Sequence, residues 1–274
     1  MNAGATAPEG APPRRSRAYV LCTTPRSGST LLCRALAATG VAGRPDSHFH
    51  ASSLRRWLEV HGLEGRAFAS ERDALRALFE AVRARGSGPS GVFGLRMQRR
   101  SFPHWMRRLD ALHPGRPTDV ARIEAAFGPT SFVHLSRADK LAQAVSLLRA
   151  EQSGLWHRAA DGTELERLGP PATPRYDADA IARHSADLSA QDDAWRAWFA
   201  REGVTPLRLG YETLAADPAG AVARVIDALG LESRAARSVV PATARLADAT
   251  STAWIERFRT ERGPGAGRVA DPSL

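Results

Sequence analysis

Two hydrophobic periods take turns along this chain, and their alternation predicts its elements. A short apolar run, Tyr19-Val20-Leu21-Cys22, ends in the polar turn Thr24-Pro25-Arg26-Ser27-Gly28-Ser29-Thr30, after which helical spacing begins with Leu31, Leu32 and Leu36. Val92 to Met97 and Ser131 to Ser136 read as further strands, and Pro206 to Leu209 as a shorter one. Helices are predicted over Ser52 to His61 and over Ser70 to Arg85, the latter with Ser70 as N-cap and Leu75, Leu78, Phe79 and Val82 as its apolar stripe. Another starts at Thr118, carries Val120, Ile123, Ala126 and Phe127, and closes at Gly128-Pro129. Asp139 to about Ala150 and Asp177 to Arg201 follow, and Asp217-Pro218 opens one more. Gly86 to Gly91 reads as a turn. Leu155 to Tyr176, rich in Gly and Pro, is predicted to be irregular, and loops of that length in compact domains are often functional.

Strands alternating with helices predict an α/β fold: a single domain with a central, mostly parallel sheet flanked by helices. Residues 1–17, rich in Ala, Pro, Gly and Arg, are predicted to be disordered, 18–262 to form the domain, and 263–274 to be a flexible tail. Ligands of such sheets bind beyond the carboxyl ends of the strands. Two polar strand ends therefore become candidates together, Thr24–Thr30 and Ser136–Ser146.

A strand, a small-residue loop and a helix in that order surround an anion with free backbone N–H groups and a positive dipole end. Ser27, Ser29 and Thr30 add hydroxyls, and Arg26 adds a planar, permanently charged fork. The loop is neither a Walker A sequence, which needs Gly-Lys-Ser/Thr, nor a Gly-x-Gly-x-x-Gly dinucleotide turn. Alone, it is equally compatible with an ordinary capped turn. At the second strand end Arg137 precedes a helix and Ser146 follows nine residues later, so the long arginine side chain could fold back to meet that serine. A strand-ending arginine and a helix-interior serine bonded to its own backbone is the competing reading.

Composition narrows the ligand. With 43% hydrophobic and 24% charged residues the chain is of ordinary globular type, and its net charge of +9 suits an anionic ligand. The basic residues are scattered along the chain and, apart from Lys140, are all arginine, so nucleic acid ranks well behind a small anion. Cys22 and Cys33 fit small buried hydrophobes, and no Cys/His spacing suggests a metal site. No stretch resembles a signal peptide or a membrane span, so a cytoplasmic location is expected.

A loop for one phosphate plus an Arg/Ser pair for another resembles the sulfotransferase superfamily. More narrowly, Arg26-Ser27-Gly28-Ser29-Thr30-Leu31-Leu32, Thr39-Gly40-Val41-Ala42-Gly43 and Gln143-Ala144-Val145-Ser146 resemble the bacterial trehalose sulfotransferases and their lipopolysaccharide and nodulation-factor relatives. Asp193 to Phe199, Arg245 to Asp248 and Trp254 to Arg257 fit the same family more loosely. The resemblance implies a P-loop-like sulfotransferase domain that moves the sulfuryl group of 3′-phosphoadenosine-5′-phosphosulfate (PAPS) to an acceptor hydroxyl, leaving 3′,5′-ADP, without a metal. It implies that Arg26, Ser27, Gly28, Ser29, Thr30 and the adjoining Leu31 wrap the 5′-phosphosulfate. Arg26 would also stabilise charge on the bridging oxygen, Arg137 and Ser146 would bind the 3′-phosphate, and Arg245 would close over the nucleotide. The acceptor is expected to be a carbohydrate or glycolipid, and the resemblance leaves room for a homodimer.

The chain departs from the family where a base is needed. Relatives read Gly-Glu-Pro-x-Glu-Phe-Phe, with the second glutamate as base, whereas this chain reads Gly43-Arg44-Pro45-Asp46-Ser47-His48-Phe49 and places Ser47 there. His48, whose side chain type titrates near neutrality, is the first candidate base and Asp46 the second, with packing or acceptor binding as the competing role of His48. Phe93-Gly94-Leu95-Arg96-Met97 resembles the family's Gly-Gly-Lys-Leu-Met-Trp segment, with Arg96 at the lysine position to support the transferring group. Gln98-Arg99 replaces its Met-Trp, which implies a different acceptor pocket. A catalytically silent nucleotide- or anion-binding protein of the same fold is the alternative that the missing glutamate suggests.

Overall fold

A computed structural model describes residues 17–50, 53–158, 162–231 and 248–263. Four parallel strands, β1 (Ala18–Thr23), β2 (Phe93–Gln98), β3 (Thr130–Ser136) and β6 (Leu207–Gly210), lie in the order β2-β1-β3-β6. β1 is central, with Leu21 opposite Arg96 on one side and Val133 on the other. From β1 the chain first builds β2 on one flank and then returns to build β3 on the other. The winding reverses at β1, where sheets of this kind open a crevice at their carboxyl ends.

Period-two alternation along β1 divides the core. Ala18, Val20 and Cys22 point into one apolar cluster, with Trp105, Phe127 and Trp198, while Tyr19 and Leu21 point into another, with Leu32, Leu36 and Val225. The first face is covered by α2 (Leu54–Val60), α3 (Glu71–Ser87), α4 (Phe102–Leu112), α5 (Asp119–Phe127) and the end of α7 (Ala178–Glu202). The second carries α1 (Ser29–Ala38), α8 (Tyr211–Ala216) and α9 (Pro218–Ala228). A third cluster joins α6 (Lys140–Ser153), α7 and α10 (Ala249–Arg262) through Leu148, Leu188, Trp254 and Phe258. Helices begin where the sequence predicts: Ser70, Thr118, Asp139 and Asp177 each accept the N–H three residues on.

Several stretches differ from expectation, including α8 and α10, where no helix is predicted. Residues 155–176 are not irregular throughout, because β4 (Leu155–Arg158) and β5 (Glu164–Arg167) pair antiparallel as a separate hairpin with shifted register. α4 went unforeseen, although Phe102, Trp105, Met106, Leu109 and Leu112 are spaced as one helical face and all are buried. Its Pro103 resembles a break, yet lies in the first turn, where no helical carbonyl awaits its missing N–H. Of the helix expected from Ser52, the first residue lies outside the described residues. Both cysteines are free and buried. Among the described residues no helix is long and apolar enough to cross a membrane.

Candidate active site

The turn after β1 is held in shape from within. Thr23 Oγ1 and Ser27 Oγ lie 2.6 Å apart, and each hydroxyl donates to the Thr24 carbonyl at 2.9 Å. Gln143 Nε2 donates to Thr24 Oγ1 at 3.0 Å and to the Pro25 carbonyl at 2.6 Å. The Gln143 carboxamide in turn accepts from Lys140 Nζ at 3.2 Å, and Lys140 is buried against Asp192 with His134 behind it. Ser27 is fully buried and is not on the cavity wall, so its side chain fastens the loop rather than facing a ligand.

Two left-handed residues turn the loop into the helix, Arg26 at φ 61° and Gly28 at φ 83°. Gly28 occupies the N-cap of α1 without a side chain, so the first-turn N–H groups have neither an intrahelical carbonyl nor a side-chain cap. A Cβ on Gly28 would lie 2.7 Å from the Tyr211 ring. Gly28→Ala is therefore expected to destabilise the fold by about 1–3 kcal/mol, read as a lower urea midpoint. An unchanged midpoint would contradict it.

Loop, strand ends and hairpin enclose a cavity of about 870 Å³, lined by Pro25, Arg26, Ser29, Thr30, Arg96 and Arg137, among others. At one end Arg137, itself buried, stacks 4.4 Å over the Tyr211 ring. Ser146 is also on the wall, but its hydroxyl accepts from Arg26 Nε at 3.0 Å, so the arginine it meets is the one in the loop. Arg26 Nη1 also donates to the Trp156 carbonyl of β4 at 2.5 Å. Burial, and next the neighbouring charge of Arg137, lower the Arg26 pKa to about 10, against the opposing pull of Glu166 and Tyr211. It is still cationic at neutral pH. Two mutually repelling guanidiniums on one wall are a site that an anion stabilises.

At the other end Arg96 is the organising residue. Its Nε donates to Ser47 Oγ at 2.7 Å, its Nη1 to Thr30 Oγ1 at 2.6 Å, and its Nη2 lies 3.4 Å from Asp46 Oδ1. Residues 43–47 come within reach because Asp46 bridges to β2 beside Leu95, and Arg96 N–H donates to the Asp46 carbonyl at 3.0 Å. Thr30 Oγ1 is also 2.9 Å from His157 Nε2, which is 3.2 Å from Glu166 Oε2. Burial first, then Arg26, Arg96 and Arg34, push the His157 pKa down to about 3, so the ring is neutral at physiological pH.

Most sequence-predicted residues thus meet in one place: Arg26, Gly28, Ser29, Thr30, Leu31, Asp46, Arg96, Arg137 and Ser146 all line the cavity. His48 does not. It is buried beside Phe93 and Gly86, its Nε2 lacks a hydrogen-bond partner, and burial lowers its pKa to about 4 despite the opposing charge of Asp46. The expectation for Arg245 lies outside the described residues. Sequence reasoning missed His157, Glu166 and Tyr211, which join the loop only through contacts distant in sequence. Among the described residues no group of three His, Cys, Asp or Glu side chains could hold a metal ion.

The model of the Stf0 sulphotransferase family matches residues 18–261. The chain belongs to that family. It is 33% identical over 268 residues to the trehalose 2-sulfotransferase of Mycobacterium tuberculosis, covering 90% of this chain and 96% of the relative. The same-named protein of Mycolicibacterium smegmatis is 32% identical over 265 residues, covering 89% and 95%. Among solved structures, the sulfotransferase domain of the Synechococcus PCC 7002 olefin synthase overlaps at TM-score 0.42 with 16% identity, over 96% of this chain and 92% of its own. Family membership makes this chain a sulfotransferase, and the α/β fold with its parallel sheet agrees with the sequence reading.

Proposed function

We propose that this sulfotransferase takes its sulfuryl group from PAPS and passes it to a hydroxyl of a carbohydrate or glycolipid. The observation that carries the donor is the continuous run of anion-seeking groups from Arg137 and Ser146 through Arg26 to the uncapped N-terminus of α1. A nucleotide with phosphates at both ends matches two cationic ends joined by one guanidinium.

In this reading the first-turn N–H groups of α1, with Ser29 and Thr30, hold the 5′-phosphosulfate. Arg137 and Ser146 hold the 3′-phosphate. Arg26 lies between them, where its charge meets negative charge developing on the bridging oxygen. Arg96, fixed by Thr30, Ser47 and Asp46, faces the sulfuryl oxygens. Ser27 supports the turn, and Asp46 orients Arg96. The acceptor enters past Asp46, His50, Gln98 and Ser101, a polar wall suited to a sugar. Sulfation of trehalose by the curated relatives supports a carbohydrate acceptor.

Calorimetric titration with 3′,5′-ADP tests the donor assignment. Micromolar binding is expected, and Arg137→Ala is expected to weaken it about 10–100-fold, the worth of a charge-assisted hydrogen bond to a buried cation. No measurable heat at millimolar nucleotide would reject the reading. Binding without any sulfuryl transfer would favour the silent nucleotide-binding alternative that Ser47 suggests.

A further inference from the structure

The reaction proposed above needs a proton acceptor, and of the residues at the expected position only Asp46 carries a carboxylate on the cavity wall. Ser47 gives its oxygen to Arg96, His48 lies outside the cavity, and Asp46 Oδ1 is shared by the Ser47 N–H at 2.7 Å and Arg96. Two other carboxylates line the cavity, Glu151 and Glu166. Glu151 is tied to His184 of α7 at 3.1 Å. Glu166 Oε2 lies 3.2 Å from His157 Nε2, the same nitrogen that is 2.9 Å from the Thr30 hydroxyl.

We propose that Glu166, contributed by β5 of the hairpin, takes the proton of the acceptor hydroxyl, and that His157 positions it. The assignment rests on the PAPS reading. The groups around the dyad are Arg26 from the loop, Thr30 and Arg34 from α1, and Arg96 from β2. Those cations and burial keep His157 neutral, so the ring, 3.2 Å from Glu166 Oε2, packs the side chain in place without cancelling the carboxylate's charge. About two-fifths of the Glu166 side chain is exposed, at 41%, which leaves an oxygen open to an incoming hydroxyl. Thr30 serves the 5′-phosphosulfate in the donor reading, which sets Glu166 beside the transferring group. The acceptor oxygen bonds to sulfur as the bond from sulfur to the bridging oxygen breaks. The electron pair leaves on the 5′-phosphate of 3′,5′-ADP, and the proton passes to a Glu166 oxygen.

The test is consumption of radiolabelled PAPS over a panel of saturating sugar and glycolipid acceptors, trehalose among them, counting transfer to acceptor and to water together, beside 3′,5′-ADP calorimetry. Glu166→Gln is expected to lower kcat about 10²-fold or more while binding 3′,5′-ADP at least as tightly, since it removes a negative charge from an anion cavity. Glu166→Ala is expected to recover part of its loss in added formate, which returns a carboxylate and would not repair a folding defect. Glu166→Gln turnover within about threefold of the parent overturns the assignment, because a missing base costs far more. So does a loss matched by weakened 3′,5′-ADP binding. An unmodified protein that binds 3′,5′-ADP but consumes no PAPS overturns the transfer reading itself, and this assignment with it.

Discussion

Arg26→Ala is expected to reduce sulfuryl transfer from PAPS about 10²–10³-fold, the cost of removing one preorganised donor from the charge that develops in the transition state. The same side chain donates to Ser146 and to the Trp156 carbonyl, so its loss also separates the loop from α6 and from the hairpin. Weaker 3′,5′-ADP binding should therefore accompany the fall in kcat. Arg26→Lys should recover only part of the rate, because an ammonium group keeps the charge without the fork that reaches two partners at once. Steady-state rates with radiolabelled PAPS measure both variants. An alanine variant retaining a tenth of the parent rate would show that Arg26 is not at the reacting charge.

The second large effect is on stability. Asp192→Ala should destabilise the protein by about 3–5 kcal/mol, because it leaves Lys140 as an uncompensated buried cation. Burial alone would raise the Asp192 pKa, but the neighbouring His134 ring and the charge of Lys140 outweigh it and hold the carboxyl below its ordinary value. A carboxyl depressed in the folded state stabilises above its unfolded pKa of about 4, and that contribution is lost as pH falls through the folded value. The gap between parent and variant in urea unfolding should thus be full at neutral pH and shrink in acid. A gap independent of pH would contradict the ion pair as its source. Because Lys140 also bonds Gln143, which holds Thr24 and Pro25, the damage should reach the phosphate loop.

The sheet and the loop were legible because their signals are local. An apolar run beside small polar residues is written in adjacent positions, and Ser70, Thr118, Asp139 and Asp177 mark helix starts within three residues of their partners. The site's wiring is not local. Thr30 is 66 residues from Arg96 and 127 from His157, and Arg26 is 120 from Ser146, distances that no periodicity reports. Arg137 and Ser146 do reach the same cavity, yet the serine bonds Arg26, a partner that nine-residue spacing could not suggest. Residue type misled in two places. Ser27 has the chemistry of a phosphate ligand and is spent on the turn, and His48 has the chemistry of a base and is spent on the core. The hairpin escaped notice because its short, irregularly paired strands lack a clean alternation.

The bond from Arg26 to Ser146 ties the two ends of the cavity to one guanidinium. In the PAPS reading, the groups that meet the two phosphates are therefore not independent, and a nucleotide lacking the 3′-phosphate is expected to bind more weakly than 3′,5′-ADP.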